Sequence, residues 1–327
     1  MDADSYIKSR AETIEKAIHA ELPAEPKEVY GMLGEFISRG GKRVRPVLAL
    51  ASCSACGGKE GDALPFAVAI ELFHNFTLIH DDIEDSSPMR RGKPTLHMEY
   101  GIPIAINSGD ALYNLVWHSL VRRADGERLR GGAEILIRSF RAVAEGQGRE
   151  LNWYREKRFD VSEKEYLVMV GGKTASLIGA SCEIGAYCAG AGKGSQEAMR
   201  EFGEKIGLAF QIKDDVLNLT ADPSKYRKKI GEDIEEGKRS LITIHLIANS
   251  PPQVRKRVIG ILGKAGKSGA EVREIIALAL ECGSIAYASD CAERLVREAK
   301  ASLRPIKSGG GMELMESLAD YIVRREK

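Results

Sequence analysis

Prolines are absent from one long central stretch of the chain, and this constrains the fold more than any other feature. Eleven prolines occur in 327 residues, yet none lies between Pro103 and Pro223. Because proline removes a hydrogen-bond donor and breaks helices, a stretch of that length favours long uninterrupted helices. No sustained two-residue alternation bounded by hairpin turns occurs, so strands are not expected. We predict an all-α protein, one domain over residues 1–327, with about ten to thirteen helices.

Two segments of the chain show the apolar spacing of an amphipathic helix. They are Val29, Leu33, Phe36 and Ile37 near the N-terminus, and Ile275, Ala279, Cys282 and Ala286 near the C-terminus. Elsewhere, Pro88 and Pro94 bound a short segment that we expect to be a restrained loop. The pattern predicts helices joined by loops, without a flexible linker between domains.

The composition limits the compartment and the partners. Charged residues nearly cancel at a net charge of +1, so no overall field favours nucleic acid or an anionic membrane. The N-terminus, Met1-Asp2-Ala3-Asp4, is acidic and lacks the apolar stretch of a signal peptide. No uninterrupted apolar run reaches the length of about 18 residues that a transmembrane helix needs. Six cysteines are present, and Cys53-x-x-Cys56 lacks the further ligands of a zinc site. We expect a cytoplasmic protein with reduced cysteines and no transmembrane segment.

Two acidic clusters of the same design lie far apart in the chain. Asp81-Asp82-Ile83-Glu84-Asp85 and Asp214-Asp215-Val216-Leu217-Asn218 each place oxygen-bearing side chains at positions i, i+1 and i+4. On a helix, residues i and i+4 lie on one face, so both oxygens can reach one ion. Oxygen ligands without Cys or His suit Mg²⁺, which keeps several waters and bridges to phosphates. Two such clusters facing each other across a cavity would hold a polyphosphate between them.

Hydrogen-bond donors and cations accompany the first cluster. His74 lies two helical turns before Asp81 and on the same face, where it could donate to a bound diphosphate. Arg90 and Arg91 follow within the proline-bounded loop. Arginine offers a planar fork of donors to phosphate oxygens, so the pair predicts an anion site beside the carboxylates.

The second cluster has a comparable set of neighbours. Gln211 precedes Asp214 by three residues, which puts it on the same helical face. Downstream, Lys229 and Lys238 supply loop cations that can close over a phosphate. Lys173-Thr174 offers another cation and a hydroxyl.

In this order, the motifs resemble those of the trans-type isoprenyl diphosphate synthases, also called polyprenyl synthases. The resemblance runs from about Gly40 to the end of the chain, and Gly40-Gly41-Lys42-Arg43-Val44-Arg45-Pro46 is similar to the family's early basic motif. It implies an isoprenoid synthase bundle around a central active-site cavity, a homodimer, and about two to three Mg²⁺ ions. The second acidic cluster departs from the family pattern because Asn218 stands where Asp is expected. The metal on that side would then depend mainly on Asp214.

The resemblance also implies roles for single residues. Isopentenyl diphosphate would be held by Lys42, Arg45, His74 and Arg91, and the allylic diphosphate by Arg90, Lys173, Lys229 and Lys238. Mg²⁺ would be bound by Asp81, Asp82, Asp85, Asp214 and Asp215. The catalytic groups would be Arg90 and Lys173 on the leaving diphosphate, and Thr174, Gln211 and the Lys173 carbonyl beside the allylic cation. The implied reaction joins isopentenyl diphosphate to a C5–C15 allylic diphosphate by ionisation and head-to-tail 1′-4 addition.

Product length is expected to depend on residues just before the first cluster. Phe76 stands five positions before Asp81, and the small Thr77 stands four positions before it. This arrangement resembles that of archaeal-type geranylgeranyl diphosphate synthases and implies a C20 product, with a farnesyl or longer product as the alternative. On a helical wheel Phe76 lies about 160° from the mean direction of the aspartates, so periodicity leaves open that it is ordinary core.

Three other functions share part of this pattern. A class I terpene cyclase shares the fold and a DDxxD, but such enzymes carry a different second motif, unlike Asp214 to Asn218 followed by two lysines. A phosphohydrolase of the HD type would use His80-Asp81, but the further histidine ligands that it needs show no motif. A non-catalytic synthase subunit would be expected to lose acidic or basic residues, whereas this chain keeps both clusters.

Overall fold

The computed structural model describes residues 2–124, 126–221, 229–306 and 311–323. Across these ranges the chain forms sixteen α-helices, one π-helical turn and one pair of two-residue strands. The predicted all-α class is therefore confirmed. The helix count exceeds the expected number partly because two of the helices, Leu96–Tyr100 and Glu232–Glu236, have only five residues each.

The elements are numbered in chain order. They are α1 (Ala3–His19), α2 (Lys27–Ser38), α3 (Val44–Ala55), α4 (Glu60–Glu84), β1 (Met89–Arg90), β2 (Lys93–Pro94), α5 (Leu96–Tyr100), α6 (Ile102–Arg123), α7 (Gly126–Arg155), α8 (Glu163–Val170), the π-helical turn Gly171–Ala175, α9 (Ser176–Cys188), α10 (Lys193–Thr220), α11 (Glu232–Glu236), α12 (Leu241–Asn249), α13 (Pro252–Leu262), α14 (Gly269–Glu281), α15 (Ser284–Ser302) and α16 (Gly311–Val323).

The chain divides into two compact units, each assembled from separate segments. The first consists of Met1–Ile137, Ala180–Met199 and Ile306–Ser317, and the second of Arg138–Gly179, Arg200–Pro305 and Leu318–Lys327. Each unit thus joins segments that are far apart in the sequence. The assignment of residues 1–327 to a single domain stays a prediction.

The core of the first unit is built around α3, in which nine of the twelve residues are buried. Its neighbour α9 packs so closely that a Cβ on Gly185 would lie only 2.3 Å from the carbonyl oxygen of Ala49. The buried Ser52 hydroxyl donates a 2.6 Å hydrogen bond to the carbonyl of Cys182 at the same crossing. A helix that is apolar on nearly every side has to be surrounded by others, and α3 is placed accordingly.

The amphipathic patterns are borne out unequally. In α2, Leu33, Phe36 and Ile37 are buried as the spacing predicts. Near the C-terminus the expected single helix is wrong, because α14 ends at Glu281 and α15 begins at Ser284, with a 64° bend between them. Gly283 adopts a left-handed conformation there with φ of 70°, which suits glycine and terminates a helix. The apolar spacing continues across the break between α14 and α15, so it does not indicate where the first helix ends.

The segment between Pro88 and Pro94 is a tight antiparallel hairpin rather than an irregular loop. Met89 pairs with Pro94 and Arg90 with Lys93. The two central residues, Arg91 and Gly92, have positive φ values of 54° and 77°, as a two-residue hairpin turn requires. The predicted restraint on the arginines is thus stronger than two prolines alone would impose.

Some described helices are long and apolar enough to cross a membrane by length and composition. They are Glu60–Glu84 and Glu163–Cys188, with α14 and α15 as a third if the bent pair counts as one span. In the first two, 61% and 67% of the most apolar window is buried within the protein. The sequence expectation considered only uninterrupted apolar runs and missed these helices. Their burial is what internal packing requires of apolar side chains.

The six cysteines carry free thiols. Burial raises the pKa of Cys53 to about 12 and that of Cys56 to about 11. Thiols of that kind stay protonated at neutral pH and are unreactive. The predicted reduced cysteines agree with this arrangement.

Candidate active site

The first acidic cluster closes α4, with Asp81 and Asp82 in the last turn and Asp85 as its C-cap. The C-terminal end of a helix carries partial negative charge, and the last turn of α4 contains no basic residue. Carboxylates placed there are unfavourable unless cations lie nearby. The local structure therefore supplies both the oxygens and the electrostatic reason for binding a cation.

Within this cluster Asp82 is buried, and Arg90 from the hairpin pairs with it. Both Nε and Nη2 of Arg90 lie 2.6 Å from Oδ1 of Asp82. Burial raises the pKa of Asp82, and the hydrogen bond and charge of Arg90 act in the opposite direction. The second carboxylate oxygen, Oδ2, is buried without a hydrogen-bond partner among the described residues. A buried oxygen in that state is costly, so it fits a cation or a water.

Next to this pair, several cations share a small region of the first unit. Desolvation, followed by the charge of Arg43, lowers the pKa of Arg91 to about 10. Lys42 is exposed, whereas Arg45 is half-buried and its Nη1 lies 3.3 Å from Nε2 of His74. Such crowding of like charges is unfavourable in the protein alone and favours an anion.

His74 has a neighbour, Arg45, whose contact with it the sequence did not predict. Burial and the charges of nearby arginines hold the pKa of His74 well below its usual range, so the ring is neutral. Arginine can only donate, so Nε2 of His74 must accept the hydrogen bond from Arg45. This nitrogen is therefore engaged in orienting Arg45, and only Nδ1 remains as a donor. Contact of His74 with a diphosphate stays a prediction.

Arg43 is a member of this region that the sequence reasoning passed over. Its side chain is buried, and it adopts a left-handed backbone conformation with φ of 49°. Nη1 donates to Oε1 of Glu71 at 2.8 Å, and Nη2 donates to the carbonyl of Ile37 at 2.8 Å. The buried pair anchors the turn that carries Lys42 and Arg45. The sequence signal for Arg43 is its position directly after Lys42 within the basic motif.

Of the two residues assigned to product length, Phe76 lies on the α4 face that meets α6. The Phe76 ring is half-buried, with its centroid 5.4 Å from that of Phe73, 4.6 Å from His80 and 5.3 Å from Tyr113. The Thr77 hydroxyl donates to the His74 carbonyl at 2.8 Å, so its methyl group is left to face outward from the helix. Phe76 thus belongs to an aromatic group contributed by two helices.

In the second unit, Lys173 and Thr174 lie in the π-helical turn Gly171–Ala175. Helix α7 approaches this turn at backbone distance, since a Cβ on Gly146 would lie 2.3 Å from the Lys173 nitrogen. A Cβ on Gly172 would lie 2.6 Å from the Ala142 carbonyl. Such turns occur often at functional sites because they reorient side chains within a helix. The sequence reasoning found the two residues but not the π-helical turn.

Lys173 is held by a carboxylate that the sequence reasoning did not select. Its Nζ lies 2.6 Å from Oε2 of Glu150 on α7, and both side chains are largely shielded from solvent. The ion pair fixes where the ammonium group sits. No sequence spacing indicates a contact between residues 23 positions apart on different helices.

Asp215 stands in a chain of hydrogen bonds. The buried Tyr166 hydroxyl donates to Oδ2 of Asp215 at 2.9 Å, and Nε2 of Gln211 donates to Oδ1 at 3.0 Å. The Thr174 hydroxyl in turn donates to Oε1 of Gln211 at 3.2 Å. Burial, with Asp233 nearby, raises the pKa of Asp215. The predicted groups Thr174, Gln211 and Asp215 are therefore brought together, with Tyr166 as a member that was missed.

The two predicted loop lysines lie in a short segment with many acidic neighbours. Nζ of Lys229 lies 2.5 Å from Glu235, and Nζ of Lys238 lies 2.9 Å from Asp233 and 2.8 Å from Glu236. Burial alone would lower the pKa of Lys238, but the two carboxylates raise it, so the group is charged.

The described ranges contain no group of three or more His, Cys, Asp and Glu side chains arranged to hold an ion by themselves. Pairs of carboxylates that leave positions for water and phosphate are what Mg²⁺ takes, and the orphaned Oδ2 of Asp82 agrees with such a cation. The donor set therefore fits a magnesium ion that is shared with a phosphorylated ligand. The assignment of ligands to each of the five aspartates stays a prediction.

Comparison with known proteins gives concordant matches. The sequence profile described as "Polyprenyl synthetase" matches residues 26–279. The chain is 34% identical to a geranylgeranyl diphosphate synthase of Sulfolobus acidocaldarius, over 99% of both chains. It is also 34% identical to a geranylfarnesyl diphosphate synthase of Natronomonas pharaonis, over 98% of this chain and 97% of that one. A polyprenyl synthase structure from Caulobacter crescentus CB15, complexed with calcium and isoprenyl diphosphate, aligns with a TM-score of 0.90 at 30% identity, over 100% and 99% of the chains.

Proposed function

The chain belongs to the polyprenyl synthetase family and is a trans-prenyltransferase, and we propose that it makes geranylgeranyl diphosphate from isopentenyl diphosphate and an allylic diphosphate. The observation that carries the proposal is the pairing of each acidic cluster with its own cations. In the first unit Arg90 pairs with Asp82, and in the second unit the positive charge of Lys238 acts on Asp215. Cations and carboxylates in this combination serve a diphosphate that is bound and then released with its charge neutralised.

The reaction begins when the allylic C–O bond breaks and the diphosphate leaves with the electron pair. A divalent cation supplies charge stabilisation to that leaving group when it is bound. Arg90 and Lys173 add fixed positive charge, because Asp82 and Glu150 prevent these side chains from moving away. Preorganised charges of this kind cost no reorganisation during the reaction.

The allylic cation is then attacked by the double bond of isopentenyl diphosphate, and a C–C bond forms between the two. The Thr174 hydroxyl and the Gln211 amide oxygen present partial negative charge, and Asp215 orients the Gln211 amide. One proton is lost from the new cation, and the released diphosphate can accept it. Arg45, Arg91 and the cations near them suit the diphosphate of isopentenyl diphosphate, whose C–O bond is not broken.

For product length we rely on the aromatic group of α4 and α6. Phe76 is held on three sides by Phe73, His80 and Tyr113, so its ring has little room to swing away from a growing chain. A bulky ring fixed in this way limits how many five-carbon units fit, and Thr77 beside it leaves more space than an aromatic residue would. A C20 product follows from this arrangement, although relatives with longer products also match the chain.

An exposed apolar surface on α5 and α6 also suits a homodimer. Helices α5 and α6 expose large apolar side chains: Met98, Tyr100, Ile102, Ile104, Ile106 and Tyr113. Of these, Ile102, Ile106 and Tyr113 fall within about 40° of one another around the axis of α6. A stripe of that size is more than scattered surface apolarity, and a second copy of the chain would cover it.

The test is an incubation of the purified protein with Mg²⁺, labelled isopentenyl diphosphate and each allylic starter in turn. Products are dephosphorylated and sized by chromatography, with a sample in chelator as the control. A single C20 alcohol that requires the metal is the expected result. Products of C15 or beyond C20 would keep the reaction and overturn the length proposal. A folded protein that elongates no starter would overturn the proposed reaction.

A further inference from the structure

Residues 229–238, here called the lysine segment, form a short preassembled element that carries both predicted loop cations. Its middle is the helix α11, which is capped at its two ends by the left-handed residues Gly231 and Gly237. Within it, the Lys238 amide donates to the Asp233 carbonyl at 2.8 Å. The relative positions of Lys229 and Lys238 are therefore set by the segment's own bonds, and its location must be set by contacts outside it.

One end of the lysine segment is bound to Asn218, the residue that departs from the family's acidic pattern. The Asp233 amide donates to Oδ1 of Asn218 at 3.2 Å, and the Gly231 amide donates to the Asn218 carbonyl at 2.8 Å. Asn218 itself is buried at 2% exposure. Its side-chain oxygen thus accepts a hydrogen bond from a backbone amide, and this hydrogen bond does not require a charged side chain.

The other end is bound by the buried guanidinium of Arg239. Its Nε, Nη1 and Nη2 donate to the carbonyls of Arg158, Gly237 and Trp153 at 2.8, 2.9 and 3.2 Å. The rings of Tyr154 and Phe159 lie 4.5 and 4.3 Å from its central carbon. Three carbonyl acceptors and two ring faces use the planar fork in a way that lysine cannot reproduce. Arg239 therefore joins the end of the lysine segment to the last turn of α7 and the residues just after it.

We propose that Asn218 and Arg239 are positioning residues, which hold Lys229 and Lys238 at the allylic diphosphate without touching substrate or metal. The inference rests on the proposed function, because it assumes that the two lysines bind that diphosphate. It assigns the Asn in the second acidic motif to the lysine segment rather than to a metal. It also assigns a role to Arg239, which lies outside the motifs found in the sequence.

Asn218 and Arg239 hold opposite ends of the lysine segment through different chemistry. Replacing either residue should therefore have the same kinetic effect. Asn218→Leu keeps the size of the side chain and removes the acceptor, and Arg239→Lys keeps the charge and removes the fork. Either change lets the lysine segment shift, and a displacement of about 1 Å near a reacting group can cost about 10²-fold. We expect the allylic KM to rise about tenfold or more, with the isopentenyl KM within about twofold of the wild-type value.

The experiment measures both KM values and the hydrogen exchange of the segment's backbone amides in the full-length protein. Faster exchange at residues 231–238, with unchanged exchange in α3 and α4, is expected for both variants. Arg255→Lys is the matched control, because this arginine also donates to two carbonyls, those of Ile247 and Ala248, and lies outside the segment. It should leave both KM values unchanged.

An allylic KM within about twofold of wild type in Arg239→Lys, or unchanged exchange of the segment, would overturn the proposal. A shift in the Mg²⁺ concentration for half-maximal activity without a change in segment exchange would instead make Asn218 a metal ligand and overturn it as well. If Asn218→Leu does not fold, Arg239→Lys decides alone. If the wild type elongates no starter, the proposed function has failed, and binding of inorganic diphosphate together with hydrogen exchange still tests the positioning role.

Discussion

Replacing Gly146 by alanine should reduce turnover strongly while leaving the protein folded. The new Cβ would lie 2.3 Å from the Lys173 nitrogen and 2.8 Å from the Met169 carbonyl, whereas ordinary contacts begin at 3.4 Å. Helix α7 and the π-helical turn would therefore have to separate by about 1 Å, and a misplacement of that size costs about 10²-fold in rate. Overpacking costs about 1–3 kcal/mol, partly offset by the gain of roughly 0.5–1 kcal/mol that alanine brings to a helix.

The assay is kcat at saturating concentrations of both substrates, with thermal unfolding of the same preparations. Gly148→Ala is the matched control, because this glycine lies two residues further along α7 and has no atom within 4 Å of the added Cβ. It should keep wild-type kcat and unfold at the same or a slightly higher temperature. Gly146→Ala with wild-type kcat would show that the spacing between α7 and the turn does not set the position of Lys173.

Four further predictions follow from single contacts. Phe76→Ala should lengthen the product beyond C20, and an unchanged length by chromatography would remove Phe76 as the limiting residue. Lys173→Met should lower kcat by about 10²–10³-fold in a protein that still folds, with a lower unfolding temperature because Glu150 loses its partner, whereas a loss of folding would make the lysine structural. Glu71→Gln leaves the buried Arg43 with only the more distant Glu15, at 3.9 Å, as a counter-ion and should cost up to about 3–5 kcal/mol in urea unfolding, and a loss below about 1 kcal/mol would contradict the buried pair. Glu165 has a pKa lowered to about 2 by its bonds to Ser162, so its stabilising contribution is present above about pH 4.3 and disappears as the pH falls towards 2. Glu165→Gln should therefore show a smaller loss of stability between those pH values, and equal losses would refute the linkage.

Local patterns carried most of what the sequence could reveal about the fold. The spacing of Leu33, Phe36 and Ile37 identified a helix because one period and one buried face determine each other. The same reasoning failed beyond Cys282, where a left-handed Gly283 redirects the chain while the apolar repeat continues. An apolar repeat does not report whether the backbone between its members is one helix, and beyond the break its last member, Ala286, is exposed.

The site was predictable where its residues are close in sequence and unpredictable where they are not. Arg90 was expected beside the first cluster, and only eight positions separate it from Asp82. Glu150, which pairs with Lys173, lies 23 positions away on another helix, and Tyr166, which bonds to Asp215, lies 49 positions away on another helix. Those contacts depend on how the helices pack, which a single sequence does not state. The π-helical turn was missed for a related reason, since its glycines signal close packing only once α7 is known to lie against them.

The two acidic clusters look alike in sequence but differ in what they leave available. In each, the second aspartate is buried, because residue i+1 lies 100° around the helix from its neighbour. In Asp82, one carboxylate oxygen accepts from Arg90, and the other has no hydrogen-bond partner among the described residues. In Asp215, both carboxylate oxygens already accept hydrogen bonds. A cation at the first cluster can therefore bind Asp82, but a cation at the second cluster can bind Asp215 only by displacing Tyr166 or Gln211.

In the second cluster, Asn218 accepts from the Asp233 amide, so Asp214 is left as the principal acidic ligand there. An Asp214→Ala variant should accordingly lose more Mg²⁺ affinity, measured by calorimetry with inorganic diphosphate present, than Asn218→Leu does, and equal losses would contradict this division of roles.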